Sequence, residues 1–208
     1  MKRHLTLLLS IGLFVMGHFS YAQRITFGPV LGSNLTWAKV NGNDIHVTPT
    51  TGYTVGGFAR VKFLKLYVQP EVLYAQKGVN FKTPDPSTGV DATQKLRYNT
   101  VDVNLMFGMQ LFRFFDDSFG MRFHAGPGIT NYVPSEVRYN GNEIDESQLK
   151  LKSYTTNWQL GIGVDLLNRF FVDFRYGFNF DNMVETGPYT IVPKQATILV
   201  AYKLIKER

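Results

Sequence analysis

The sequence predicts an all-β fold: an eight-stranded, antiparallel transmembrane β-barrel of the outer-membrane type. Three observations predict it. Apolar and polar residues alternate with a period of two along eight segments. The connections between those segments are alternately short and long. A leader opens the chain, and no later stretch is apolar enough to span a membrane as a helix, which leaves a closed barrel as the route into a bilayer.

The clearest stretch is Arg169–Asn182. Phe170, Val172, Phe174, Tyr176, Phe178 and Phe180 form one face, and Phe171, Asp173, Arg175, Gly177, Asn179 and Asp181 the other. The same rhythm marks the remaining segments in chain order. The first is Ile25–Trp37. The second, Tyr53–Phe63, sets Tyr53, Val55, Ala59 and Val61 against Thr54, Gly56, Arg60 and Lys62. In Leu66–Phe81, Leu66, Val68, Val72 and Tyr74 oppose Tyr67, Gln69, Glu71 and Ala75. Leu96–Phe112 carries Val101 to Leu111 on one face and Asp102, Asn104, Gly108 and Gln110 on the other. Phe119–Tyr132 opposes Phe119, Met121, Phe123 and Ile129 to Arg122, His124, Gly126 and Gly128. Thr156–Leu167 opposes Trp158, Leu160, Ile162 and Val164 to Gln159, Gly161, Gly163 and Asp165. The stretch around Phe174 is seventh. Ala196–Leu204 closes the set, with Ile198, Val200, Tyr202 and Leu204 against Thr197, Ala201 and Lys203.

Short connections fall near Leu64, at Arg113–Asp117 and at Leu167–Asn168. Long polar ones run Ala38–Thr50, Thr83–Gln94, Pro134–Lys152 and Glu185–Pro193. Residues 1–22 read as a signal peptide: Lys2, Arg3 and His4 precede the apolar run Leu5–Met16, and Ser20-Tyr21-Ala22 forms a small-residue cleavage site with Gln23 as the mature start. An N-terminal anchor helix is the alternative. Residues 23–208 read as one barrel domain. The chain has no cysteine, which excludes disulfides, thiolate metal sites and a cysteine nucleophile. Its formal charge of +6 is not clustered, and nothing resembles a nucleic-acid surface.

Alternation alone does not say which face points inward, because a soluble barrel hides its apolar face. Two arguments place the polar face inside. The apolar faces draw on 17 Phe, 11 Tyr and 2 Trp, too many for an interior that eight strands barely leave room to fill. The glycines also choose the polar face: Gly28, Gly32, Gly56, Gly108, Gly120, Gly126, Gly128, Gly161, Gly163 and Gly177. A crowded concave interior needs small residues, whereas a solvated exterior does not. Pro29, Pro70 and Pro127 fall inside proposed strands, where a missing N–H is costly. The expectation is a bulge at Pro70 and strand-end positions near Pro29 and Pro127.

Phe27-Gly28-Pro29-Val30-Leu31-Gly32-Ser33-Asn34-Leu35 resembles the opening strand of the small outer-membrane β-barrel proteins of Bacteroidota called PorT-like or "porin family". Val68–Tyr74 followed by Gln76-Lys77-Gly78 resembles that family's most recognisable segment. Tyr98–Val103 resembles its next strand, with Asn104 in place of the usual proline. Ala125-Gly126-Pro127 and Arg175-Tyr176 match further strand motifs. The resemblance covers nearly all of the mature chain and implies the fold and an outer-membrane location. The family includes an accessory factor of the type IX secretion system, but no motif here singles out that role.

The inward face carries Arg60, Lys62, Arg122, Arg175 and Lys203 with Glu71, Asp102, Asp165 and Asp173. Interleaved signs favour a lumen plug of paired charges over a selectivity ring or proton path. Glu71 with Arg122 or Arg175 is the expected central pairing. His124 reads as a satisfied lumen histidine, with a general-base role of the kind lipid-modifying barrels use as the alternative. Trp37, Tyr53, Tyr74, Tyr132, Tyr154 and Trp158 read as an outer aromatic girdle rather than a sugar-stacking site. Glu136, Glu143, Asp145 and Glu146 do not have calcium-loop spacing. No catalytic residue, cofactor or metal is expected. The partners expected are outer-membrane lipids and a secretion or transport complex. The functional expectation is a non-enzymatic structural or accessory barrel without an open pore. The alternative is a recognition protein that binds through its long loops.

Overall fold

The computed structural model describes residues 24–40, 46–84, 91–114, 118–139, 142–143, 150–182, 184–186 and 191–205. The expected leader and its junction at Ala22 and Gln23 lie outside them. Eight long strands make the wall: β1 (Arg24–Val40), β2 (His46–Phe63), β3 (Leu66–Pro84), β4 (Asp91–Phe114), β5 (Phe119–Tyr139), β6 (Tyr154–Leu166), β7 (Phe170–Asn179) and β8 (Ile191–Tyr202). Each pairs antiparallel with the next, and β8 pairs with β1, so the sheet closes and no long strand is left as an edge. Above the wall, Asn142–Glu143 extends the end of β5, and Lys150–Leu151 pairs with Val184–Thr186.

The closure has a fixed stagger. Starting at Ile25, partners run Val61, Val68, Phe107, Ala125, Leu160, Tyr176 and Ala196, and the row returns to β1 at Leu35. The offset from Ile25 to Leu35, about 33 Å of strand over about 38 Å of sheet, tilts the strands by about 40°. Eight strands at that tilt enclose a space that side chains can fill.

They do fill it. Arg60, Glu71, Asp102, Arg122, Asp165, Asp173 and Arg175 are all buried, whereas Leu31, Val72, Phe107, Ile162, Phe174 and Ile198 on the alternate positions are exposed to the outside. The lumen is two-sided. Val30, Phe58, Leu73, Phe171, Leu199 and Ala201 form an apolar cluster, Phe58 and Phe171 meeting edge to face at 4.9 Å. Charged and neutral polar side chains with Tyr67, Tyr98 and Tyr132 occupy much of the remainder. Several bulky inward groups overlie a glycine: Tyr67 over Gly108, His124 over Gly161, and Arg122 with Asp173 over Gly163.

The strands outrun their alternation. β3, β4 and β5 are 19, 24 and 21 residues long, against the ~9–11 that cross a bilayer. Above the girdle the pattern reverses: Val79, Leu96 and Tyr98 are buried on the inner face, and Gln76, Asn80 and Arg97 stand on the outer one, while the β3–β4 ladder continues unbroken.

The prolines behave differently from expectation. No bulge occurs at Pro70. The β3–β4 register runs unbroken through Pro70–Leu105, and the β2–β3 ladder only skips between Phe58–Glu71 and Val61–Val68 without changing register. Pro29 and Pro127 are strand-interior, not terminal. Pairing of β8 with β1 begins at Val30, and the β4–β5 ladder skips opposite Pro127 between Asn104–Gly128 and Phe107–Ala125. Each proline therefore removes a bond from one seam and leaves the other intact. The Leu105 carbonyl lies where a Cβ of Gly126 would be, and the Tyr202 carbonyl does the same at Gly28, an approach that only glycine permits. Register does shift elsewhere, between Pro49 and Thr54 toward β3 and between Gln110 and Phe112 toward β5.

Gly163→Val tests the packing. Even a Cβ there would sit 2.7 Å from Arg122 Nε, and overpacking of this kind costs about 1–3 kcal/mol. A lower urea midpoint for the refolded barrel in micelles is the expected result.

Candidate functional site: the polar lumen

The inward charges come from five strands, and the alternation of each strand aims them at the axis. Arg60 stands on β2, Glu71 on β3, Arg122 on β5, Asp165 on β6, and Asp173 and Arg175 on β7. They form a closed circuit. Arg60 Nε donates to Gln69 Oε1 at 2.5 Å, and Gln69 Nε2 donates to Glu71 Oε1. Arg175 grips Glu71 with both terminal nitrogens, at 2.6 and 2.8 Å, and its Nη2 also reaches Asp173 Oδ2 at 2.6 Å. Arg122 bonds the other oxygen of Asp173 and, at 2.5 Å, Asp165 Oδ1. Asp165 Oδ1 lies 3.6 Å from Arg60 Nη1, which closes the ring, and 2.9 Å from Lys203 Nζ. Glu71 thus pairs with Arg175, while Arg122 sits between the two aspartates.

Such a cluster is tolerable because its charges have opposite neighbours within 4 Å, most of them hydrogen-bonded. Aromatic faces contribute as well. The Arg60 guanidinium lies 4.7 Å from the Tyr67 ring centroid and 4.6 Å from that of Phe171, and Arg122 stands 4.1 Å from the same Phe171. His124 is enclosed, with Nδ1 3.2 Å from the Tyr67 hydroxyl and Nε2 4.0 Å from Asp173 Oδ2.

Asp102 stands apart from the circuit. Its partner is Lys77, at 2.7 Å, nearer the long-loop end. Lys77 escaped the sequence reading, although it shares inward parity with Glu71 on the same strand. Between the two ion clusters runs a ladder of neutral groups. Gln159 donates to Asn104 at 2.8 Å, and Asn157 donates to Thr130 at 3.1 Å. At the loop-side mouth a recess lined by Thr36, Lys77, Tyr98, Tyr132, Asn179 and Gln195 has space for about one water molecule, ≈ 10 Å³.

The girdle is corrected at one position. Tyr53, Tyr154 and Trp158 are exposed to the outside, and Trp37 and Tyr74 are half-buried on the same face. Tyr132 instead points inward and is 6 % exposed, its ring 5.5 Å from Tyr98 and its hydroxyl 3.1 Å from Thr155 Oγ1. Parity was the signal: Tyr132 is an even number of residues from His124, so it shares the lumen face. The acids Asp145 and Glu146 lie outside the described residues. Among the described residues no group of three potential metal ligands occurs.

Comparison with known proteins agrees with the architecture. The family model described as outer membrane protein beta-barrel domain matches residues 18–185. No curated protein matches the chain. Among solved structures, the chain is similar to Neisserial surface protein A, at 9 % identity over 86 % of this chain and 97 % of that one, with a TM-score of 0.49. It is similar to the attachment invasion locus protein Ail of Yersinia pestis, at 12 % identity over 87 % and 99 %, TM-score 0.45. It is also similar to OprG from Pseudomonas aeruginosa, at 11 % identity over 87 % and 92 %, TM-score 0.45.

Removing one charge tests the circuit. Glu71→Gln leaves the buried Arg175 guanidinium short of countercharge and is expected to cost about 3–5 kcal/mol in urea unfolding. Replacing both partners, Glu71→Leu with Arg175→Leu, is expected to recover most of that loss. An additive double variant would show that the pair is not coupled.

Proposed function

The chain belongs to the outer membrane protein beta-barrel domain family, and from that premise we propose that it is a non-enzymatic barrel that conducts nothing. In this reading it is a structural or accessory component of the outer membrane, joined to secretion or transport machinery. The observation that carries the proposal is the ion circuit from Arg60 to Asp165, which spans the lumen and binds strands on opposite sides of the wall. A pore would need those groups to line water; here they bond one another. The large-over-glycine packing leaves the same impression of a filled interior. His124 lies inside the wall against Tyr67, away from any lipid substrate, which favours a packing role over an acid–base one. The resemblance to PorT-like proteins of Bacteroidota belongs to this proposal and suggests secretion machinery as the first partner to seek.

A second reading has an observation of its own. β3 and β4 continue well beyond the girdle as an unbroken ladder, and β5 rejoins β4 at Arg138 and Tyr139, so the protein presents paired backbone on the loop side. That arrangement suits a recognition protein whose long connections bind a ligand or a neighbouring surface.

Two measurements test these readings. In planar bilayers the purified barrel is expected to show no conductance above leak, and steady single-channel steps would refute the plug. Extraction from native outer membranes in mild detergent is expected to bring down a secretion or transport subunit in near-equal amount. A clean monomer would shift the case to loop recognition.

A further inference from the structure

The turns at the short-connection end are unusual. Leu64 and Leu167 adopt φ of 54° and 50°, the left-handed region that glycine and asparagine occupy readily and leucine does not. Asn168, beside Leu167, follows the rule at 58°. The two leucines are also the most exposed large apolar side chains among the described residues, at 77 % and 71 %. A turn that met water would gain from Gly or Asn on both counts. These turns carry the residue that is worst for the backbone and worst for water.

Depth resolves the conflict. With strands tilted about 40°, each residue rises about 2.5 Å along the barrel axis. From Leu64 to the girdle residues Tyr74 and Tyr53 is therefore about 25 and 28 Å, and from Leu167 to Trp158 and Tyr154 about 23 and 33 Å. The apolar band of an outer-membrane barrel is ≈ 25 Å tall. Both leucines fall near the lower boundary of the hydrocarbon. Around them Phe63, Leu66, Phe114, Leu204 and Ile205 are exposed as well. Lys65 and Arg169 follow the leucines closely and are exposed, Arg169 Nη1 donating to Tyr202 Oη at 2.6 Å.

We infer that the Leu64 and Leu167 turns are seated in the periplasmic leaflet, with the leucines in hydrocarbon and Lys65 and Arg169 at the phospholipid phosphates. The left-handed backbone turns each leucine away from the barrel, and burial in lipid offsets its strain. The short-turn end is then a membrane-anchoring surface that sets the height of the barrel in the bilayer, and phospholipid covers it.

The cysteine-free chain makes the test direct. Leu64→Cys and Leu167→Cys are each spin-labelled, refolded into phosphatidylcholine–phosphatidylglycerol vesicles and checked for folding by heat-modifiable gel mobility. The two sites lie on separate turns, so either one alone gives an answer. The expected result is collision with oxygen several-fold above collision with a water-soluble nickel chelate. Ser153→Cys, exposed at the loop side, is expected to show the reverse. Nickel accessibility at the turn sites equal to that at Ser153→Cys would overturn the inference.

Discussion

A lumen too narrow to hydrate its own charges is the constraint on which this structure depends. Eight strands at a stagger that returns Ile25 to Leu35 enclose little more than side-chain volume. Arg60, Arg122 and Arg175 cannot be left unpaired there, and the acids on β3, β6 and β7 stand where they meet them. The same confinement explains the glycines. Gly108, Gly161 and Gly163 occupy positions at which any side chain would strike Tyr67, His124 or Arg122. Charge pairing and small-residue placement are one solution to one shortage of space.

The wall obeys a different economy. Closure pairs each long strand on both sides, and Pro29, Pro70 and Pro127 each interrupt one seam only. At Pro29 and Pro127 the residue before the proline is glycine, and the carbonyl across the seam moves in against it. All three prolines point outward to lipid, so the lumen contacts are undisturbed.

Much of this was legible in the alternation. The strand count, the inward face and the set of buried charges follow from a period of two once the glycines identify the crowded side. Two errors came from setting parity aside: Tyr132 was placed by depth, although its parity with His124 puts it inside, and Lys77 was passed over although it shares the face of Glu71. The absent bulge at Pro70 has another cause. A sequence shows that a donor is missing, but not that the neighbouring strand will keep its register and leave a gap. Strand length was hidden because the outer faces of β3 and β4 turn polar above the girdle while Val79, Leu96 and Tyr98 stay apolar inside, the reverse of the lower wall. The link between Glu71 and Arg175, residues 104 apart in the chain, depends on the stagger, which no local pattern encodes.

The circuit has a consequence for how the protein is made. Glu71 and Arg175 stand on β3 and β7, across the barrel from each other, and Lys203 follows the last strand to join at Asp165. While any seam is open, several of these charges face the gap rather than one another. An open sheet would then carry naked guanidinium and carboxylate groups into hydrocarbon, at several kcal/mol for each unpaired group. Assembly is therefore expected to be cooperative, because the circuit pairs all its charges only once the first and last strands have met.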